Sequence, residues 1–463
     1  MDQYNSHPID MLLYREEFGG ADMRAVFSEG NIIKKWLMVD AAIARVEAGL
    51  GIIPLAAAEE IERKATGDFV EVSRVAELGR IKGLDIAAEL TALAEVCEKG
   101  AREYIRMGVG GVDNYDTAWA LLIKEGLELI YRDLDRLIGI LIELTRTHRS
   151  TLMVGRTFGQ HEGPITFGYK TAMWAKELYQ CRGLLEEGEG HYLVGKASGT
   201  IGNLSSLEKN YPGKGTSLEQ KVCERLGLNT PDITILFSRR RFMQLIVNLT
   251  FIANTIDSIA TEIFNRQRPE IGELQEPFRK DQISSTVSPH KRNPYGCNTL
   301  NGLAELVRAN VGAILRSTWF DERDHRRMPI ESSVVPTTFI YVSGMLQRAI
   351  FICGNLSINP SRMRENLSLL KGLNFSEFIA TALATRGLGR YAAYELMREI
   401  VETVYRDGIE FGALLKKHEK VRQYLREEEI DDLLDPESNL GIMEPQIDAA
   451  LSEMEDVKKP EGK

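Results

Sequence analysis

The sequence predicts an all-α protein of three helical domains, the central one a bundle of long helices. Three observations carry that expectation. Apolar residues recur at three- and four-residue spacing over stretches well beyond the ordinary helix length of about 11 residues. Those stretches contain no proline to break a helical ladder. Alternating apolar and polar runs, the mark of half-buried strands, are scarce.

In chain order, residues 31–50, beginning Asn31-Ile32-Ile33-Lys34-Lys35-Trp36-Leu37, read as an amphipathic helix of an N-terminal helical domain, residues 1–107. From Thr117 to Arg149, Leu127, Ile130, Leu134, Leu137, Ile138, Leu141 and Leu144 fall on one helical face. From Arg241 to Arg266, Leu245, Ile246, Leu249, Ile252, Ala253, Ile256, Ile259, Ala260 and Ile263 repeat the pattern. Leu303, Leu306, Val307 and Ile314 do so between Thr299 and Ser317. These segments predict a central bundle over residues 108–345, followed by a C-terminal helical domain over 346–463. The charged segment from Leu451 is expected to fray.

Composition bounds the function. At 463 residues the chain exceeds one usual core, and 43% hydrophobic with 27% charged residues is ordinary for a soluble globular protein. A net charge of −10 argues against a general nucleic-acid or membrane-surface binder. No run of about 18 apolar residues appears, and the first residues lack a charged-then-apolar leader. Five widely spaced cysteines without a CxxC pair fit free thiols in a reducing cytoplasm, with no zinc site or disulfide framework indicated.

The most informative stretch is residues 284–294, Ser-Ser-Thr-Val-Ser-Pro-His-Lys-Arg-Asn-Pro. Pro289 and Pro294 remove backbone donors and fix φ, which excludes a helix interior or a central strand. An exposed loop carrying hydroxyls, an imidazole, two cations and a carboxamide is suited to anions. The order Ser-Thr-x-x-Pro-His-Lys-Arg-Asn-Pro resembles the mobile signature loop of the aspartase/fumarase superfamily of lyases, here residues 281–295. Two more polar regions, 108–118 and 155–168, are set off by long helices, as in that superfamily. With Arg268-x-Glu-Ile-Gly-Glu273 and Trp319-x-x-Glu-Arg-Asp324, the likeness is to the adenylosuccinate lyase branch, weakening after about residue 345.

The resemblance implies β-elimination: a base takes the proton next to a carboxylate, and a leaving group departs from the neighbouring carbon. By spacing to the lysine, Ser285 takes the place of the base, with Ser284 a competing candidate and Thr286 in the second hydroxyl slot. Lys291 and Asn293 would bind and polarise the carboxylate. Thr157 and Gln160 match carboxylate-binding positions in the second region. Arg239 and Arg241 stand where the family has an arginine pair, and Arg323 and Arg326 lie in or near the nucleotide segment. The resemblance further implies a homotetramer with each site shared among three chains, a small anionic substrate, and no cofactor or metal.

Several positions depart from the family. Phe158 stands in the slot of the general-acid histidine, and Leu84 replaces a second active-site histidine. His161 is one helical turn past Phe158 if that segment is helical, and is either catalytic or a hydrogen-bonded, partly buried histidine. Gly110-Gly111-Val112 replaces Thr-Ser-Asn, leaving only backbone N–H groups to hold a carboxylate, and Met328 and Ser332 occupy nucleotide-phosphate slots. A general acid contributes about 10²–10⁴-fold in rate. Its loss therefore favours a leaving group that needs no proton, such as phosphate or carboxylate, in a phosphosulfolactate-type substrate for example. Adenylosuccinate lyase with a substitute acid, His161, His290 or His325, is the alternative, and a non-catalytic homologue the third.

Overall fold

Ser28 opens the first long helix, α1 (Glu29–Gly49), its hydroxyl accepting the Asn31 N–H at 3.4 Å. Further helices follow: α2 (Asp85–Val96), α3 (Gly111–Thr147, 37 residues), α4 (Phe167–Tyr192), α5 (Arg240–Arg266), α6 (Tyr295–Ile314) and α7 (Met328–Gly354), of which α3, α5 and α6 fall on the segments expected from the apolar spacing. Shorter helices close the chain, among them α8 (Ser376–Leu383) and α9 (Arg390–Asp407). The computed structural model describes residues 9–233, 239–317, 328–455 and 457. Among them the strands are short and form two antiparallel pairs: β1 (Leu152–Thr157) with β2 (Gln160–Thr166), and Leu274–Gln275 with Ser357–Ile358. The protein is all-α.

Backbone contacts gather the chain into two units, neither continuous in sequence. One comprises residues 1–134, 181–256 and 302–347; the other comprises 135–180, 257–301 and 348–463. The break falls within the long helices, because a 37-residue helix extends roughly 55 Å, longer than one core is wide.

In the first unit Leu127, Ile130, Leu134, Leu245, Ile246, Leu249, Ile252 and Phe339 are buried. α5 is long and apolar enough to cross a membrane by length and composition, yet these residues bury its apolar face in the core. In the second unit Leu137, Ile138, Leu141, Ile259 and Ile263 are buried, and Ile379, Leu383, Phe411, Leu415 and Ile430 form a C-terminal core. Leu306 is 42% exposed and Leu144 half-buried, against the expectation that both face a core.

Candidate active site

Residues 158–161 are not helical: Phe158 and Gly159 are the two-residue turn of a hairpin. Thr157 pairs with Gln160, Arg156 pairs with His161, and the register shifts at Gly155. Phe158 has φ 51° and Gly159 φ 78°, the pattern of a type I′ turn, which favours Asn-Gly. A phenylalanine there costs about 1–2 kcal/mol. Its ring is fully exposed.

Because strand side chains alternate in direction, Thr157, Gln160 and Glu162 share one face while Arg156 and His161 share the other. Thr157 Oγ1 donates to Glu162 Oε1 at 3.3 Å, and Gln160 is exposed. Arg156 grips the buried Glu273 through both terminal nitrogens, at 3.0 and 2.8 Å. Glu273 also accepts from Arg266 at 2.5 Å and from the Asn366 amide at 2.8 Å. The hairpin is therefore braced one residue short of its turn, while the turn itself is bare. His161 belongs to the braced side, where its buried Nδ1 has no hydrogen-bond partner among the described residues. Burial, and then the Arg156 charge, lower its pKa, so it is neutral near pH 7.

The signature loop is irregular until Tyr295 opens α6. Its two ends are fastened. Ser284 is 5% exposed; its Oγ accepts the Asn293 N–H at 2.5 Å, and its carbonyl accepts Asn293 Nδ2 at 2.8 Å and the Tyr295 hydroxyl at 3.1 Å. Gln267 Nε2 donates to the Arg292 carbonyl at 2.9 Å, and the Arg292 guanidinium lies 5.1 Å from the Phe278 ring centre. Glu276, ahead of the loop, accepts the Gly296 and Cys297 N–H groups at 3.1 and 3.0 Å, capping α6 with a carboxylate.

Ser285 is half-buried, and its Oγ accepts N–H groups from Ser288 at 3.0 Å and Val287 at 3.3 Å. That is a turn-forming hydroxyl, and the same two donors favour its ionised form. Thr286, His290 and Lys291 are exposed. Asn293 spends its amide on the loop base, which departs from a purely substrate-binding role.

In the first unit, the polar region at the start of α3 is buried. Asp113 accepts from the N–H groups of Gly110 and Gly199, both at 2.9 Å, and from Ser198 Oγ at 3.0 Å. Gly110 thus has no amide left for a ligand, so the backbone nest expected at 110–112 is at best incomplete. Asp116 pairs with Lys196, with Arg239 at 3.0 Å and with Arg241 at 3.4 Å, and Arg239 also grips Glu331. Arg239 and Arg241, expected to meet substrate, are both buried and bound to carboxylates of the chain itself. Lys196, which the sequence reading missed, is fully buried; burial lowers its pKa to about 8 despite Asp116. Leu84 is exposed beside Gly83 in a left-handed helix cap, and Ser332 Oγ donates to its own helix at the Met328 carbonyl. Arg323 and Arg326, with Trp319 and His325, lie outside the described residues.

Comparison with known proteins decides the family. Residues 21–309 match the family described as Lyase, and residues 372–450 match the adenylosuccinate lyase C-terminus. The chain belongs to the aspartase/fumarase lyase superfamily. It is a lyase, on the adenylosuccinate lyase-like branch. An adenylosuccinate lyase of Pyrococcus abyssi is 35% identical over 98% of this chain and 99% of its own. An N-acetyl-S-(2-succino)cysteine lyase of Dickeya dadantii is 34% identical over 96% of this chain and 97% of its own. Among solved superfamily structures, a 3-carboxy-cis,cis-muconate lactonizing enzyme of Pseudomonas putida aligns with TM-score 0.87 and 29% identity, covering 96% of this chain and 99% of that one.

Proposed function

We propose that this lyase takes a proton from the carbon next to a carboxylate and expels a leaving group that departs as an anion. Ser285, as the alkoxide, receives the proton. The C–H electron pair becomes the new double bond, and the bond to the leaving group breaks with its pair. The Val287 and Ser288 N–H groups support the alkoxide, while Lys291 offsets the charge building on the substrate carboxylate. Thr157, Gln160, Thr286 and the free acceptor oxygen of Asn293 bind carboxylate-bearing substrate, with Arg323 and Arg326 as further cations. Buried Ser284 fastens the loop, which favours Ser285 as the base. As elsewhere in the superfamily, the working form is a cytoplasmic homotetramer with shared sites.

One observation carries the reading: the hairpin presents the apolar ring of Phe158 where an acid would stand, and its one imidazole, His161, is turned to the other face and neutral. Phosphate and carboxylate leave without protonation. So does a thiolate, the kind of group the name of the Dickeya relative implies, since a thiol has a pKa of about 8.5. An amine does not.

The second reading, adenylosuccinate cleavage, draws on the 35% identity to the Pyrococcus enzyme. It requires another acid, such as His290 or His325, and phosphate contacts other than Arg239 and Arg241. Turnover of adenylosuccinate across pH 6–9, beside phosphorylated, lactonic and thioether acids, separates the two. We expect the anionic leaving groups to react with no requirement for a protonated group near neutrality. Adenylosuccinate cleavage with kcat/KM above about 10⁴ M⁻¹s⁻¹ would favour the second reading.

A further inference from the structure

Gln267 stands just past the end of α5, and both atoms of its side-chain amide are engaged. Its Oε1 accepts the Glu276 N–H at 2.9 Å, and its Nε2 donates to the Arg292 carbonyl at 2.9 Å. Glu276 precedes the signature loop and Arg292 lies near its end, so one side chain clasps both arms of the loop to the helix behind them. An amide offers a donor and an acceptor side by side; a carboxylate would aim a second acceptor at the Arg292 carbonyl. Among the described residues, this is the one hydrogen bond that ties residues 284–293 to the chain outside the loop, 281–295. What it holds is a compact unit. The Ser285 hydroxyl accepts the Ser288 N–H at 3.0 Å, and the Ser288 carbonyl accepts the Lys291 N–H at 3.1 Å, with Pro289 at the second position of that turn. Ser285 and Lys291 are thus linked by two successive turns, and the next residue, Arg292, is the one that Gln267 holds.

We propose that Gln267 is a positioning residue for the elimination, setting where the Ser285–Lys291 unit stands relative to the end of α5. This rests on the elimination reading and adds to it the part that keeps the base in register. Gln267 acts through the loop backbone and moves no proton. Without its amide the two turns remain, because their hydrogen bonds lie within 285–291, and the N–H groups that favour ionised Ser285 are unchanged. What is lost is the placement of that unit, which costs rate while leaving the pKa of the base alone.

The test uses full-length protein and adenylosuccinate, a C2 thioether of succinate or a C2 phosphate ester of succinate, whichever wild type turns over fastest. Gln267→Met keeps the length and removes both hydrogen bonds. It should lower kcat about 10–100-fold, the cost of a misplaced reacting group, and change KM less than about threefold. The denaturation midpoint and the apparent pKa of the kcat–pH profile should stay at wild-type values. Trypsin should cut after Lys291 or Arg292 about tenfold faster, the scale of two lost hydrogen bonds. In a Ser285→Ala background, Gln267→Met should cost less than about twofold more, because a base that is absent cannot also be misplaced. A kcat within about threefold of wild type overturns the proposal and leaves the elimination reading intact. An equal loss in both backgrounds also overturns it, since Gln267 would then act apart from Ser285. Full activity in Ser285→Ala, or a wild-type protein inactive on all three acids, overturns the elimination reading and this proposal with it.

Discussion

Two polar regions of this chain, each carrying hydroxyls and charged groups, have opposite fates. At the start of α3, buried Asp116 meets Lys196, Arg239 and Arg241, so that charge is met by charge from the same chain, while Asp113 accepts from Ser198 and two backbone N–H groups and Thr117 bonds the Lys196 backbone. In the signature loop, Ser285, Thr286, His290 and Lys291 stand half or fully in solvent on a segment fastened only at its ends. A cation serves an outside anion only when the fold has not already supplied one. Substitutions should therefore act on stability in the first region and on turnover in the second.

The largest effect expected is on turnover. Ser285→Ala should lower kcat by about 10³-fold or more, with the denaturation midpoint unchanged. Ser284→Ala removes one of three hydrogen bonds at the loop base and should cost about tenfold or less. Steady-state kinetics on the two proteins would break the comparison if the losses were equal.

In the buried region the readout is reversed. Asp116→Asn takes the shared charge away from Lys196, Arg239 and Arg241 and should destabilise by about 3–5 kcal/mol in chemical denaturation. A loss of activity at unchanged stability would instead make that cluster part of the site.

The third prediction sharpens the contrast through pH. Glu47 on α1 is fully buried, and burial and then Asp40 raise its pKa from 4.5 to about 9. The folded protein thus holds a proton that the unfolded chain gives up near pH 4.5. That contribution is complete below about pH 4.5 and is lost as pH rises toward 9. Glu47→Gln mimics the protonated form. Stability should match wild type near pH 4.5 and exceed it by on the order of 3 kcal/mol at pH 7, with a widening gap above. A constant difference across pH would show that Glu47 does not titrate with folding.

How much of this was legible beforehand depended on distance along the chain. The stripe Leu245, Ile246, Leu249, Ile252 is local and repeats over many turns, so burial followed from spacing. Leu306 shares such a stripe and is exposed, because periodicity names a face without naming what covers it. The hairpin escaped notice because Gly155, Gly163 and Pro164 blur strand alternation, although a two-residue turn ending in glycine between two short runs was a usable signal. Arg239 and Arg241 looked available because Asp116 lies more than a hundred positions away. The loop was read correctly as irregular, since two prolines are a local fact.

The carboxylate of Glu276 has one more consequence. It precedes the loop, yet it holds the first turn of the helix that follows, so the two ends of an 18-residue excursion are tied together whatever lies between. The entropy of closing that ring is met at its neck, and even a doubling of its length would cost only about 0.6 kcal/mol. Residues 277–294 form a replaceable cassette: insertions, deletions and whole exchanges there can be tried without rebuilding the bundle, which makes this segment the place to graft a new chemistry.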